Sequence, residues 1–176
     1  KEILTAFIYM ERLFALAITA ALLAAPVPAL GQNKKPFGWV EKVKVMPEDL
    51  VIQAKLDTGA EHSSLHAGNL TEFTKNGASW IKFDLTNRYG KTVTIERQIR
   101  RMARVKRENN KFVTRPVVSV GICLGEEYME VEVNLRDRTG FEYPMLIGRS
   151  FLAGNVVVDP AIMFTEEPSC KSKPIK

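Results

Sequence analysis

The sequence lacks the features that mark several large protein classes. Its 176 residues include two cysteines and two histidines, which excludes a disulfide-dense scaffold and a four-cysteine zinc site. It contains no His-Glu-x-x-His motif and no glycine-rich loop ending in Lys-Ser or Lys-Thr, the marks of common zinc peptidases and phosphate-binding enzymes. After residue 31 no long segment has a 3.6-residue apolar period, which excludes a helical bundle.

The overall composition is that of a globular protein. Hydrophobic residues make up 45% of the chain and charged residues 26%, so a disordered tail is excluded. The length suits one domain, alone or with a processed leader. The net charge of +5 permits contacts with anionic surfaces but does not require them.

Residues 1–31 are predicted to be a secretory signal peptide that starts at Met10. A charged start is followed by the uncharged run 13–25, then by two prolines and by small residues at positions 29 and 31. The run is shorter than the ~20 residues that a transmembrane helix needs, although an uncleaved anchor is the alternative. We therefore expect a mature domain over 32–176 that is periplasmic or secreted, with no stable membrane insertion after leader cleavage.

The two cysteines lie far apart, at Cys123 and Cys170. Outside the cytosol they could form a disulfide that pins the C-terminal tail to the body of the protein. Two free thiols are the alternative, because a sequence does not supply the Cα separation that a bridge needs.

Period-two alternation of apolar and polar residues dominates the mature chain and predicts strands with one buried face. Turn signals such as Asn76-Gly77 and Thr139-Gly140 separate the segments. One short helix is predicted from Arg149, ending at Gly154. The pattern predicts an all-β barrel or sandwich with one short helix. The strand segments are 51–56, 81–85, 93–96, 116–120, 129–135 and 155–159.

The tripeptide Asp57-Thr58-Gly59 directly follows the first of these strands. Glycine lets the backbone turn sharply beside a carboxylate, and the Thr58 hydroxyl can bond the neighbouring backbone and hold that turn. Taken alone, the tripeptide is ordinary turn chemistry.

A second stretch, about ninety residues later, changes the interpretation of the tripeptide. The segment Pro144–Leu152 begins as an apolar strand, which ends at Gly148-Arg149, and then continues into the short helix. The two stretches in this order resemble the retropepsin-like aspartic peptidases. Further segments resemble the bacterial branch usually named ATP-dependent zinc protease; the matching residues are Lys55–Ala60, Ser64–Ala67, Arg115–Val118, Asp137-Arg138 and Pro144–Leu152.

The resemblance implies a closed acid-protease barrel with one short C-terminal helix and an aspartic endopeptidase activity on polypeptides. Asp57 would be the catalytic carboxylate, with no metal and no cofactor. Because the chain has one Asp-Thr-Gly and the chemistry needs two carboxylates, the dyad would come from Asp57 of two chains in a homodimer. The supporting residues would be Thr58, Gly59, Ala60, Ile147, Gly148 and Arg149.

The resemblance also assigns a role to three of those supporting residues. Thr58 would brace the two loops of the dimer against each other. Gly148 would leave room for the Asp57 loop, and Arg149 would bond structural carboxylates.

Two other function classes remain open. A non-catalytic module could hold a peptide or an envelope component on the same fold, since a fold alone does not establish a function. A zinc metallopeptidase is less favoured. On a helix His62 and His66 would share a face and could hold zinc with Glu61 or Asp57, but this stretch follows a strand and carries two serines.

The segment 97–107 carries six basic residues and no acid. One interpretation is a solvated edge strand whose charges block edge-to-edge pairing; the other is a patch that attracts acidic peptides or anionic polymers. Nucleic acid is not an expected partner, because few aromatics are interleaved with the bases. The family's substrate-covering flap would lie around 87–91 or within 97–107.

Overall fold

A computed structural model describes residues 34–106 and 110–171, and the predicted signal peptide lies outside them. Within these ranges no helix is long and apolar enough to span a bilayer. The elements in chain order are β1 (Lys35–Met46), β2 (Leu50–Leu56), β3 (Ser63–His66), β4 (Gly68–Lys75), β5 (Ala78–Thr86), β6 (Thr92–Lys106), β7 (Phe112–Leu124), β8 (Glu127–Arg136), β9 (Met145–Ile147), α1 (Arg149–Leu152) and β10 (Val156–Met163).

Six of the strands close into a barrel. Their order is β1, β2, β9, β3, β8 and β7, and β7 returns to β1 where Gly121–Leu124 pairs with Val43–Met46. β10 adds to β1 outside the ring, while β6, β5 and β4 extend the sheet from β7. The predicted all-β closed barrel with one short helix is therefore confirmed for the described residues.

The predicted alternation corresponds to the observed burial. Ile81, Phe83 and Leu85 on β5 are fully buried, whereas Lys82 between them is exposed. On β8 the buried side chains are Val131 and the two apolar residues that follow at period two. These side chains join one continuous core, whose removal from water is the main favourable term in folding.

Three strands were not predicted from the sequence, each for a physical reason. In β1 the alternation is interrupted where adjacent residues are both buried, at Phe37 and Gly38 and again at Val40 and Glu41, and it is regular only over Glu41–Met46. Its Glu41 is fully buried and accepts hydrogen bonds from the backbone of Gly38 (2.6 Å) and Thr165 (2.9 Å). β3 is four residues long and begins with the buried Ser63, and β4 is an exposed edge strand.

The basic segment belongs to β6, whose two halves pair with different neighbours. Residues Thr92–Gln98 pair with β5 and Ile99–Lys106 pair with β7, so each half is paired on one side only. This one-sided pairing agrees with the interpretation of a charged edge, although β6 is an interior strand in the order of the whole sheet. Acidic partners are present for two of its bases, since Arg97 contacts Glu48 at 2.7 Å and Arg101 contacts Glu132 at 2.9 Å.

The two cysteines form a disulfide, with Cα atoms 5.8 Å apart. Cys123 lies in the core at the end of β7, and Cys170 belongs to the C-terminal tail. The tail is also held where the Ser169 N–H donates to the Gly125 carbonyl at 2.7 Å. Of the two possibilities that the sequence left open, the bridge is the one present.

Candidate active site

Asp57 is the first residue after β2, and its own carboxylate organises the turn that follows. Oδ1 accepts hydrogen bonds from the backbone N–H groups of Gly59 (2.9 Å) and Ala60 (3.3 Å). The Ala60 N–H also reaches the Asp57 carbonyl at 3.2 Å. The side chain remains 26% exposed, and Oδ2 lies 3.9 Å from the Nζ atom of Lys55. The turn therefore presents a carboxylate at the surface of the chain with one oxygen not engaged by the turn.

The second motif packs directly against this turn. β9 lies parallel to β2, with Leu56 opposite Ile147, and the Asp57 N–H donates to the Ile147 carbonyl at 2.8 Å. Beyond β9 the Arg149 N–H donates to the Ala60 carbonyl at 2.9 Å. The structure thus brings Asp57 together with all six of the predicted supporting residues.

Gly148 makes this close approach possible. A Cβ atom at this position would lie 2.7 Å from the carbonyl carbon of His62 and 2.9 Å from the carbonyl oxygen of Glu61. Both contacts are with backbone, which cannot rotate away as a side chain can. The Gly148 N–H donates to the buried Ser63 Oγ at 3.2 Å. The expectation that Gly148 leaves room for the Asp57 loop agrees with this packing.

Arg149 has different partners from those expected. One guanidinium nitrogen donates to the carbonyl oxygens of Thr58 and Gly59, each at 2.9 Å. Among the described residues no carboxylate lies within ion-pair distance of it. Within one chain the exposed carbonyls of the tight turn therefore offer two acceptors to one planar donor, and the expectation of carboxylate partners, in the body or at a dimer interface, stays a prediction.

Thr58 does not hold the turn through its hydroxyl. The residue is exposed, and within the described ranges Oγ1 has no hydrogen-bond partner. The Asp57 carboxylate and the Arg149 guanidinium stabilise the turn instead.

The two histidine side chains do not form a joint site, although the backbone of His62 packs against Gly148. His66 ends β3, where its Nδ1 accepts the backbone N–H of Arg138 at 2.9 Å. His62 is exposed and lies 3.8 Å from Glu61. The stretch between them is a strand rather than a helix, and no cluster of three or more metal-ligating side chains occurs among the described residues.

Sequence reasoning missed two neighbours of the turn, Lys55 and Ser63. Lys55 precedes Asp57 by two residues on a strand, which places both side chains on one face; that spacing was an available signal. Ser63 is buried beneath Gly148, and no local pattern distinguishes a buried serine from an exposed one.

Comparisons with known proteins agree with this geometry. Residues 36–169 match the family model described as RimB-like, retropepsin-like aspartic endopeptidase RimB. The chain is similar to a Legionella pneumophila protein of unknown function whose crystal structure is known: identity is 38%, the TM-score is 0.64, and the match covers 74% of this chain and 97% of the other.

Two curated proteins are similar to part of the chain. Both are named probable alpha-L-glutamate ligase. The one from Parasynechococcus marenigrum is 36% identical over 112 residues, which are 62% of this chain and 24% of that protein. The one from Shewanella halifaxensis is 33% identical over 116 residues, 64% of this chain and 25% of that protein. The matched region is therefore about a quarter of the length of these relatives.

Proposed function

The chain belongs to the RimB-like family of retropepsin-like aspartic endopeptidases, and on that basis we propose that it hydrolyses peptide bonds as a homodimer. The observation that carries the proposal is the contact between the Asp57 turn and Gly148-Arg149. In this contact the turn is held by its own hydrogen bonds to Asp57 and by the packing of Gly148-Arg149 against it. The partly exposed Asp57 carboxylate is therefore carried on a fixed backbone. Fixed positioning of the reacting group is what general acid–base catalysis needs.

The chemistry requires a second carboxylate. Two Asp57 side chains across a two-fold axis would lie about 3 Å apart and share one proton, because two such close charges do not both ionise. The ionised member would accept a proton from water as that water attacks the peptide carbonyl. The protonated member would polarise the carbonyl and later protonate the amine that leaves.

Two features of the surface support association of two copies. Thr58 is exposed and adjoins Asp57, and its side chain would be a hydrogen-bonding partner for the loop of a second copy. On the outer strand β10, Val157, Ile162 and Met163 expose about 40–50% of their surface. Met163 aligns with Val40, which aligns with Lys55, so these exposed apolar residues lie two strands away from the strand that leads into the Asp57 turn. Burial of exposed apolar side chains is a usual driving force for dimers.

For the substrate-covering flap, the observed pairing favours the segment 97–107. Residues Met102–Lys106 of β6 pair with Phe112–Pro116 of β7 in a two-stranded ribbon. Its exposed face carries Arg104, which stacks at 4.1 Å over Phe112. The other expected place, Asn87–Lys91, is a tight turn closed by its own backbone hydrogen bonds. A basic ribbon would attract acidic peptides. One relative is named probable alpha-L-glutamate ligase, and a chain of glutamate residues would be such a peptide.

The proposal includes export. The Cys123–Cys170 disulfide supports it, because such bridges persist mainly in oxidising compartments. Together with the leader expected over residues 1–31, the bridge favours an enzyme that works in the periplasm or outside the cell.

The test is peptide-bond cleavage by the purified protein and by Asp57→Asn, from about pH 3 to 8, on an unfolded protein and on a glutamate-rich peptide. We expect cleavage to fall by about 10²–10⁴-fold in the variant, with unchanged circular dichroism and no effect of a chelator. Asp49→Asn is the matched control, because Asp49 is exposed and its ion pair is with Lys44, away from the turn. Equal cleavage by wild type and Asp57→Asn would contradict the proposal.

A binding module is the second candidate, favoured by the small share of the curated relatives that this region occupies. It predicts a folded protein that cuts neither substrate and whose affinity for a peptide is unchanged by Asp57→Asn. Cleavage that stops on chelation would instead indicate a metallopeptidase.

A further inference from the structure

A polar cavity of about 240 Å³ lies away from the Asp57 turn, toward the other end of β2, β9 and β3. Pro144, which lines it, precedes β9, whereas the Asp57 N–H bonds Ile147 at the far end of that strand. Three residues of strand separate these points by about 10 Å. Its wall combines the turn after β5, including Asn87 and Arg88, with the loop after β8, including Arg138.

Arg138 is the unusual member of this wall. It is 8% exposed, yet among the described residues no carboxylate lies within ion-pair distance of its guanidinium. Its Nε donates to the Tyr143 carbonyl at 3.0 Å and its guanidinium lies 4.7 Å from the Phe141 ring centroid. Burial, and then the charges of Arg136 and Arg115, lower the pKa of Arg138. A buried cation without a counter-ion is costly, and an anion in the cavity would offset that cost.

The other polar groups in the wall are mostly donors. His66 accepts the Arg138 backbone N–H at Nδ1, so in the neutral ring Nε2 carries the proton. Asn87 uses its side-chain oxygen to accept the N–H groups of Tyr89 and Lys91, which leaves its NH₂ group as a donor. Glu142 is the one acid among the described residues of the wall, and its Oε1 is occupied by the Tyr143 hydroxyl.

We propose that this cavity is a binding site for a small oxyanion, with Arg138 and Arg88 as its charged partners. A guanidinium fork and an amide donor suit phosphate and carboxylate oxygens alike. The ligand would link the β5–β6 turn, which carries Arg88, to the loop that carries Arg138. The site is distinct from the Asp57 turn and does not depend on peptidase activity.

The experiment measures binding to the intact protein by calorimetry and by the shift in melting temperature. Sodium phosphate and sodium glutarate are titrated separately at constant ionic strength, with sodium chloride as the reference. A ligand that binds only the folded state raises the melting temperature as its concentration passes the Kd. Stabilisation by phosphate alone identifies phosphate as the ligand class, and stabilisation by glutarate alone identifies a carboxylate.

Variants then localise the site. Arg88→Gln is expected to weaken binding about tenfold or more without a change in the melting temperature of the unliganded protein, because Arg88 is exposed on a turn. Arg138→Gln is expected to weaken it further, and Arg138→Lys to restore part of the loss. Arg104→Gln is the matched control, since Arg104 does not line the cavity and stacks on Phe112 instead. The proposal is overturned if neither anion binds better than chloride, or if Arg88→Gln and Arg104→Gln have equal effects.

Discussion

At the residue scale, Gly148 is a position where the two halves of the proposed active site approach each other through backbone atoms. Its φ is −94°, which any residue can adopt, so glycine is needed here for space and not for conformation. An added methyl group would meet the backbone of Glu61 and His62 below 3.0 Å. Either the Asp57 turn or β9 would have to move.

Gly148→Ala is therefore predicted to lower the free energy of unfolding by about 1–3 kcal/mol, the usual range for overpacking, and to reduce cleavage as well. Gly68→Ala is the matched control, because its Cβ would meet Asp84 and His66 atoms at an ordinary 3.6 Å or more. That change should be neutral or stabilising by up to about 1 kcal/mol. Denaturant unfolding measures both variants; equal stability of the two would contradict the packing argument.

At the scale of elements, Asp84 links three neighbouring strands. From β5 its carboxylate accepts Asn69 Nδ2 of β4 at 2.8 Å and Thr94 Oγ1 of β6 at 2.6 Å. These hydrogen bonds, that of Asn69 first, lower the pKa of Asp84 below the ordinary value of 3.8. The ionised carboxylate thus contributes to the cohesion of the sheet outside the barrel ring.

The lowered pKa predicts a dependence of stability on pH with a definite sign. Because the folded state holds the ionised form, the contribution is present above the unfolded pKa and is lost as the pH falls through the lower folded pKa. Asp84→Asn should therefore lose less stability than wild type between about pH 6 and pH 3. Thr94→Val, which removes one donor but keeps the carboxylate, should lie between them. Parallel curves of unfolding free energy against pH for all three proteins would refute this role.

At the scale of the whole molecule, the C-terminal tail is fastened to the barrel at two places. The buried Glu41 of β1 accepts the N–H and hydroxyl of Thr165 at 2.9 and 2.7 Å. The disulfide then joins Cys170 to Cys123, which is 47 positions earlier in the chain. The tail consequently restrains both β1 and β7, the two strands whose pairing closes the barrel.

Loss of the bridge is predicted to lower the free energy of unfolding by about 4 kcal/mol, the value that chain entropy gives for a loop of this length. Cys170→Ser tests this in guanidinium chloride, because Cys170 is the less buried partner and its loss leaves the core in place. Reduced wild type should match the variant, and a reductant should leave the variant unchanged. No difference between oxidised and reduced wild type would show that the bridge does not restrain the unfolded chain.

The sequence by itself determined the features that depend on neighbouring residues. Alternation in β5 and β8 identified strands because one face of each is buried. Asn76-Gly77 marked a turn because both residues adopt positive φ. Asp57 and Gly148 were recognised as partners from two short motifs and their order. Each of these signals is contained in a short segment, so it can be recognised without knowing which distant segments come into contact.

Only the tertiary structure decided which distant groups meet. The closure of the barrel depends on β1 pairing with β7, and no pattern within β1 indicates which distant strand its residues Val43–Met46 pair with. The Arg149 side chain donates to backbone carbonyls of the Asp57 turn. Arg138 lies beside His66, 72 residues earlier, and within residues 34–106 and 110–171 no carboxylate pairs with its guanidinium. The cysteine bridge likewise needed two Cα atoms 5.8 Å apart. These outcomes follow from the packing of the whole barrel, since burial and hydrogen-bond geometry are properties of the folded chain and not of any segment.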